Sequence, residues 1–276
     1  MTTEPETLLV PTRVAHAYWR EHAFRGHRVF ADLLGHTSLS GMLVLALGER
    51  RPTQDDCAFL DELAVISTFA DPRIWPLKAA RLVGSYGRFV PGLVAGYLSV
   101  DDADVGPAVC APIAGALRQI HEKAGGGDAD PMPAIEAWVR ETLASSQRIL
   151  GFGVPFRTPD ERMVALEERL VARGRAGGRY WGLLQRVATV VRRERGIEPN
   201  IASGLAAALL DMGFGPDVIG PLAMLLFEIT FVANAMEAAM DPAPVMRELP
   251  VDRVEYVGRS ARQSPRAKMA TQGGAR

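Results

Sequence analysis

Apolar residues recur at three- and four-residue spacings through almost every long segment of this chain, the period of a helix that buries one face. The pattern predicts helices over 57–69, 77–90, 135–150, 162–171, 180–193, 202–212 and 216–240, the last interrupted near Pro221. Glycine and proline mark the stops: Pro91 with Gly92, the run 125–127, Gly174 with Gly177 and Gly178, Gly196, and Gly213 with Gly215. No Asn-Gly or Asp-Gly pair joins two alternating runs, so no hairpin is expected and the fold class is all-α.

The most apolar stretch, 218–236, has the length of a membrane span, but it contains Glu228, Pro221 and Asn234, and a charge in mid-span is costly. It reads as a buried core helix, and no membrane partner is expected. With 276 residues the chain can bury a substantial core and divide into a large domain and a smaller lobe. Lys plus Arg at 31 against Asp plus Glu at 32 leaves a formal charge of -1, so no global field favours nucleic acid or an acidic membrane. Cys57 and Cys110 form neither a disulfide framework nor a zinc cluster and read as small buried apolar residues. The opening MTTEPETLLVPT carries acids and prolines where a secretory signal needs a basic start and an apolar run, and a cytoplasmic protein is expected. The final 259–276 is basic and poor in large apolar residues, a composition that does not fold alone.

Candidate acids and bases are few. His16, His22, His27 and His36 cluster near the start, and His121 falls at a helix end; no two have the i, i+4 spacing of a helical metal site, so structural or surface roles are assigned and no metal is expected. Glu228, within MLLFEITFV, has two readings: an acid of raised pKa lining a cleft, or a buried acid paired with an arginine such as Arg81 or Arg88. The paired reading is preferred.

Five segments, in order, resemble the citrate synthase and citryl-CoA lyase superfamily. FRGHRVFADLLGHTSLSGMLVLALGERRPT (24–53) is similar to the family's early R-G-Y/H segment and leucine-rich helix, and KAARLVGSYG (78–87) to its A-A-R-V-V-A-S-T-G helix. GFGVPFRTPDERM (151–163) resembles G-F/Y-G-H followed by basic residues and D-P-R, EPNIASGLAAALLDMGF (198–214) resembles P-N-V-D-x-x-S-G with its helix, and DRVEYVG (252–258) the terminal R-x-x-Y-V-G. The resemblance implies an all-α, citrate synthase-like fold: a large helical domain from 1–109 and 204–258, and a small one from 110–203. It also implies a homodimer, or a heterodimer with a synthase paralogue.

In that family one histidine stabilises the enol of an acetyl thioester, an aspartate removes its methyl proton, and a second histidine polarises the ketone of oxaloacetate. Such chemistry needs titratable groups within hydrogen-bond reach of the reacting atoms. By the resemblance, GPAVCAPIAGAL (106–117) sets Val109 at the enol-stabilising histidine, and Val154 stands at the ketone-polarising one. The aspartate either falls in a two-residue deletion or becomes Ala202. Pro72 in ADPRIW stands where the family often has a substrate-contacting histidine, and FVANAMEAAMD (231–241) lacks the family's carboxylate-binding arginine. The catalytic set is therefore expected to be empty.

Binding features of the family persist. Gly151, Phe152 and Gly153 match a turn that approaches an adenine, Arg157 a basic position facing coenzyme A phosphates, and Arg162 an arginine gripping a substrate carboxylate. The bland reading gives Arg157 and Arg162 only a helix start to cap. The functional expectation is a protein that binds an acyl-CoA or small organic acid, with coenzyme A thioester as ligand and no tightly bound cofactor. The alternative is altered acyl-CoA carbon-carbon bond chemistry, a Claisen-type condensation or a citryl-CoA lyase-like cleavage.

Overall fold

The computed structural model describes residues 11–69, 71–101, 105–127, 129–145, 148–154, 159–241, 250–259 and 262. The chain divides into a unit ending at Pro242 and a second unit, Ala243–Arg276. Eleven α-helices lie in the first among the described residues: α1 Leu39–Ala46, α2 Gln54–Ile66, α3 Trp75–Gly84, α4 Phe89–Asp101, α5 Cys110–Lys123, α6 Met132–Ala144, α7 Glu161–Ala172, α8 Arg179–Arg195, α9 Ile201–Asp211, α10 Pro216–Leu226 and α11 Glu228–Met240.

Local chemistry starts and stops them. Thr53 and Asp56 form a reciprocal capping box at the start of α2, Asn200 accepts from the Ala202 amide at 3.0 Å at the start of α9, and α8 ends on Gly196 at φ 65°. The Asp211 carboxylate, from the end of α9, accepts from the Tyr180 and Trp181 amides at 2.8 and 2.9 Å and so caps α8 across the helix pair.

Every residue of α9 from Ile201 to Leu210 is buried, as expected of a helix apolar on all sides. Its small residues, Ala202, Ser203, Gly204, Ala206, Ala207 and Ala208, let α5, α7, α8 and α10 pack around it.

A second group joins α3 and α4 to α11, from opposite ends of the first unit. Here Pro91 and Gly92 do not stop a helix. Pro91 lies in the first turn of α4, where its missing N–H leaves no intrahelical bond unmade, and Gly92 lies where α4 crosses α3. A Cβ on Gly92 would sit 2.8 Å from the Ala80 carbonyl oxygen and 2.9 Å from the Gly84 Cα. Glycine here is a packing residue rather than a terminator.

The expected 216–240 helix is two helices, and the break falls at Phe227, not at Pro221, which sits inside α10. Among the described residues Pro216–Met240 is long and apolar enough to cross a membrane, with a mean hydropathy of 1.8 over its most apolar window. Ile219, Leu222, Ala223, Phe231 and Ala235 from this stretch lie in the core. The break also corrects the reading of Glu228: it is the first residue of α11 and only partly buried, and Arg81 pairs instead with Glu237.

A small antiparallel sheet was not expected. Strands β1 (Ala15–Tyr18), β2 (Glu21–Phe24) and β3 (His27–Arg28) pair in the order β1-β2-β3. The β2–β3 turn is Arg25-Gly26, both at positive φ (48° and 83°), a conformation usually signalled by Asn-Gly or Asp-Gly. Arg25 holds it through a tertiary bond, donating from Nη2 to the Ala46 carbonyl at 2.8 Å.

Ion pairs tie α2 to α7 and to the residues just beyond it. Arg173 binds Glu62 at 2.7 Å, Arg169 joins the same carboxylate, and Arg175 binds Asp56 at 2.8 Å with its guanidinium 5.0 Å from the centre of the Phe59 ring. Arg173, and then Arg169, hold the Glu62 carboxyl down to about 2. Both cysteines are buried. The second unit holds a short 3-10 turn, Val251–Arg253, and the Tyr256 hydroxyl donates to the Arg259 carbonyl at 2.9 Å. Of the basic tail only Arg259 and Arg262 are among the described residues.

Candidate functional site

The loop 148–154 is stapled to the chain entering α9. Phe152 bridges Pro199, the Gly153 amide donates to the Glu198 carbonyl at 2.8 Å, and the Asn200 amide donates to the Gly151 carbonyl at 2.8 Å. Ser203 Oγ donates to the same Gly151 carbonyl at 3.0 Å. Gly151 has φ 80°, and a Cβ there would lie 2.8 Å from Ile113 and 2.9 Å from Ser203 Cβ. Both backbone conformation and close approach demand glycine at this position.

A cavity of about 340 Å³ opens beside this loop, within the size range of small-molecule sites. Its walls come from Phe69, 73–77, 105–107 and Val109, the loop 148–154, the starts of α7 and α9, and the α10–α11 junction. Val109, Val154 and Ala202 all line it, as do Gly151, Phe152, Gly153 and Arg162. The candidate positions, scattered over almost a hundred residues of sequence, thus meet in one cleft. Arg157 and Ala70 lie outside the described residues. A second void of about 150 Å³, between α5, α6 and α8, shares Arg148, Leu150 and Phe152 with this wall.

Arg162 is held by Asp160, the N-cap of α7. Arg162 donates from Nε to Oδ1 at 2.9 Å and from Nη2 to Oδ2 at 2.8 Å, and its guanidinium lies 5.3 Å from the centre of the Phe69 ring. Asp160 is wholly buried and also accepts from the Arg162 and Ile201 amides at 3.1 and 2.9 Å. Burial pushes the Asp160 carboxyl up, but Arg162 and the two amides outweigh it and hold it below the usual carboxylate range. The helix-capping and cavity-lining readings of Arg162 are therefore both geometric facts of one side chain.

Among the described lining residues the ionisable side chains are Arg73, Arg148 and Arg162; none is Asp, Glu, His, Lys, Cys or Tyr. Cys110, next to Val109, is fully buried with its Sγ 3.6 Å from the Ala202 carbonyl oxygen, and burial pushes its thiol up to about 12, so no thiolate forms near neutrality. Tyr97, packed with its ring centre 5.2 Å from that of Phe231, has its phenol pushed up by burial and then by the nearby Glu228 carboxylate. His121 packs edge-on against Tyr180, its ring centre 5.7 Å away, and is not among the lining residues.

Sequence reasoning missed Arg148 and Arg73. The apolar period places Arg148 in a helix over 135–150, but α6 ends at Ala144 and Arg148 lies on the cavity wall. A basic residue three positions before a glycine turn was the available signal. Phe227, Thr230 and Phe231 were missed because the helix break was set at Pro221.

Solved structures share this fold. The chain superimposes on the citryl-CoA lyase of Hydrogenobacter thermophilus with a TM-score of 0.71 at 24% identity, covering 95% of this chain and 100% of that one. The chain has the fold of the citrate synthase and citryl-CoA lyase superfamily. An ATP citrate lyase of Methanothrix soehngenii, solved with citrate and coenzyme A, gives a TM-score of 0.71 at 16% identity and covers 94% of this chain. The chain spans only 43% of that lyase. A citrate synthase of Thermotoga maritima gives 0.60 at 16% identity, covering 82% of this chain and 65% of its own. No protein-family model and no curated protein matches the sequence significantly. In this citrate synthase-like fold, the valines at 109 and 154 and the alanine at 202 surround one cavity.

Proposed function

We propose that this citrate synthase-like protein binds an acyl-CoA or a small organic acid in the cavity beside Gly151 and does not carry out citrate synthase chemistry. The observation that carries the reading is the lining itself: three arginines, and no described side chain able to take up a proton near neutral pH. Arg73 is paired with Asp71 and Arg162 with Asp160, while Arg148 makes no ion pair among the described residues; a guanidinium recognises carboxylate or phosphate in a planar, paired geometry, which favours an anionic ligand. Neighbours of the same fold include a lyase solved with citrate and coenzyme A, which supports ligands of that class here.

Calorimetric titration of coenzyme A, acetyl-CoA and citrate is the test. At least one should bind the wild type, and Arg162→Ala should weaken the acid arm about tenfold or more, the usual scale of a lost charged hydrogen bond. A thermal melt of the variant separates lost contact from lost structure, because Arg162 also neutralises Asp160. No binding of any of the three, or undiminished affinity in a folded variant, would contradict the proposal.

We also propose a homodimer through the face shared by α3, α4 and α11. Leu82 on α3, Val90, Val94 and Leu98 along α4, and Met236 and Met240 on α11 are exposed large apolar residues on three helices that pack together. Light scattering at micromolar concentration should give twice the chain mass, and Leu98→Glu should shift it to monomer; a wild type found only as monomer would overturn the assignment.

A further inference from the structure

We infer that the cavity selects a monocarboxylate with an apolar body, aromatic or branched aliphatic, over a hydroxylated polycarboxylate. This rests on the organic-acid arm of the function proposed above and names the class of acid.

Most polar groups at this wall are already engaged within the chain. Asn200 has both ends of its amide engaged: Oδ1 accepts from the Ala202 amide at 3.0 Å and Nδ2 donates to the Gly153 carbonyl at 2.9 Å. The start of α9, where free amides would make an anion site, is closed by the chain's own groups, since the Ile201 amide donates to Asp160 and the Ala202 amide to Asn200. The Gly153 amide donates to Glu198, and the Thr230 hydroxyl donates to the Phe227 carbonyl at 2.9 Å. Two of the three Arg162 nitrogens are held by Asp160, which leaves Nη1 without a hydrogen bond among the described residues.

Arg148 is exposed, borders the cavity and makes no ion pair among the described residues. Arg73, the third lining arginine, is bound to Asp71, its Nε donating to Oδ2 at 2.8 Å, so among the described residues Arg148 and the outer nitrogen of Arg162 are the charged donors left for a ligand, enough for one carboxylate. The rest of the wall offers Ile74, Val109, Val154, Ala202, Phe227 and Phe231. A second or third carboxylate, or a tertiary hydroxyl, would be desolvated against these side chains with no partner, which is strongly unfavourable, whereas an aromatic ring or branched chain gains by burial there. The valines at 109 and 154 thus do more than leave the catalytic positions empty: they form part of the surface that the body of the acid would contact.

Isothermal titration of phenylacetate and 4-methylpentanoate, against citrate and coenzyme A, into the wild type, Arg148→Gln and Val154→Phe tests this. Both substitutions fall at positions that are at least partly exposed, so the fold should tolerate them. The monocarboxylates should bind at least about tenfold more tightly than citrate; Arg148→Gln should weaken them about tenfold, and Val154→Phe, which fills the cavity, should abolish their binding. Citrate binding as tightly as the monocarboxylates, or unchanged monocarboxylate affinity in both variants, would overturn the inference. Binding of coenzyme A or citrate with no monocarboxylate binding would overturn it alone and leave the proposed function standing. Silence from all four ligands would overturn both.

Discussion

Acetyl-CoA and oxaloacetate mixed with the purified protein should release free thiol no faster than the same mixture without it. The condensation requires a base for the methyl proton and donors for the enol and ketone oxygens, and each such group contributes about 10²- to 10⁴-fold. By the resemblance the two family histidines correspond to Val109 and Val154, and the aspartate falls in a two-residue deletion or at Ala202; Val109, Val154 and Ala202 all line the cavity. Neither Cys110, held as a thiol by burial, nor His121, turned to Tyr180, takes their place. Groups that act as a unit fail as a unit, so losing all of them should remove the reaction rather than slow it. Protein-dependent thiol release that scales with protein concentration would refute this expectation.

The second large effect is structural. Asp160→Ala should cost about 3–5 kcal/mol, the scale for removing one partner of a buried ion pair, and lower the melting temperature by on the order of 10 °C. The wholly buried carboxylate binds the Arg162 guanidinium at two points and accepts two amides, one from α7 and one from the start of α9. Its loss strands a partly buried cation and an amide at the cavity wall. The native pKa is lowered, so this contribution is fully present above the ordinary carboxylate range and is lost as pH falls through the folded-state value. The stability gap between wild type and variant should accordingly be widest near neutrality and narrow in acid. Thermal melts at neutral and acid pH check both parts; an unchanged melt at neutrality would show that the Asp160 junction does not hold α7 to α9.

Helix existence was legible because burial imposes a period on the sequence, and α7, α8 and α9 end within one or two residues of where that period places them. What the period does not carry is how closely helices approach. Gly92 has the local signature of a stop, and only the Ala80 carbonyl 2.8 Å from its absent Cβ reveals it as a crossing point. The Arg25-Gly26 turn was illegible for the same reason: its positive φ is supported by a bond to Ala46, more than twenty residues away, rather than by its own residue type. At the site, the motif residues were readable by resemblance, and the described ones meet in one cavity. Arg148 and Phe227 were not readable, because each depends on where a helix ends, and the apolar period in the sequence runs past the ends of α6 and α10.

The cleft is proposed to hold its ligand without moving a proton. Deuterium exchange into the methyl group of acetyl-CoA in heavy water, followed by proton NMR, reads that step alone, with no second substrate and no requirement for turnover. Exchange should be no faster than in a protein-free control, at protein concentrations where calorimetry shows ligand bound. Protein-dependent exchange that disappears when the cavity is filled by Val154→Phe would contradict the proposal, and would mean that a base reaches the cleft.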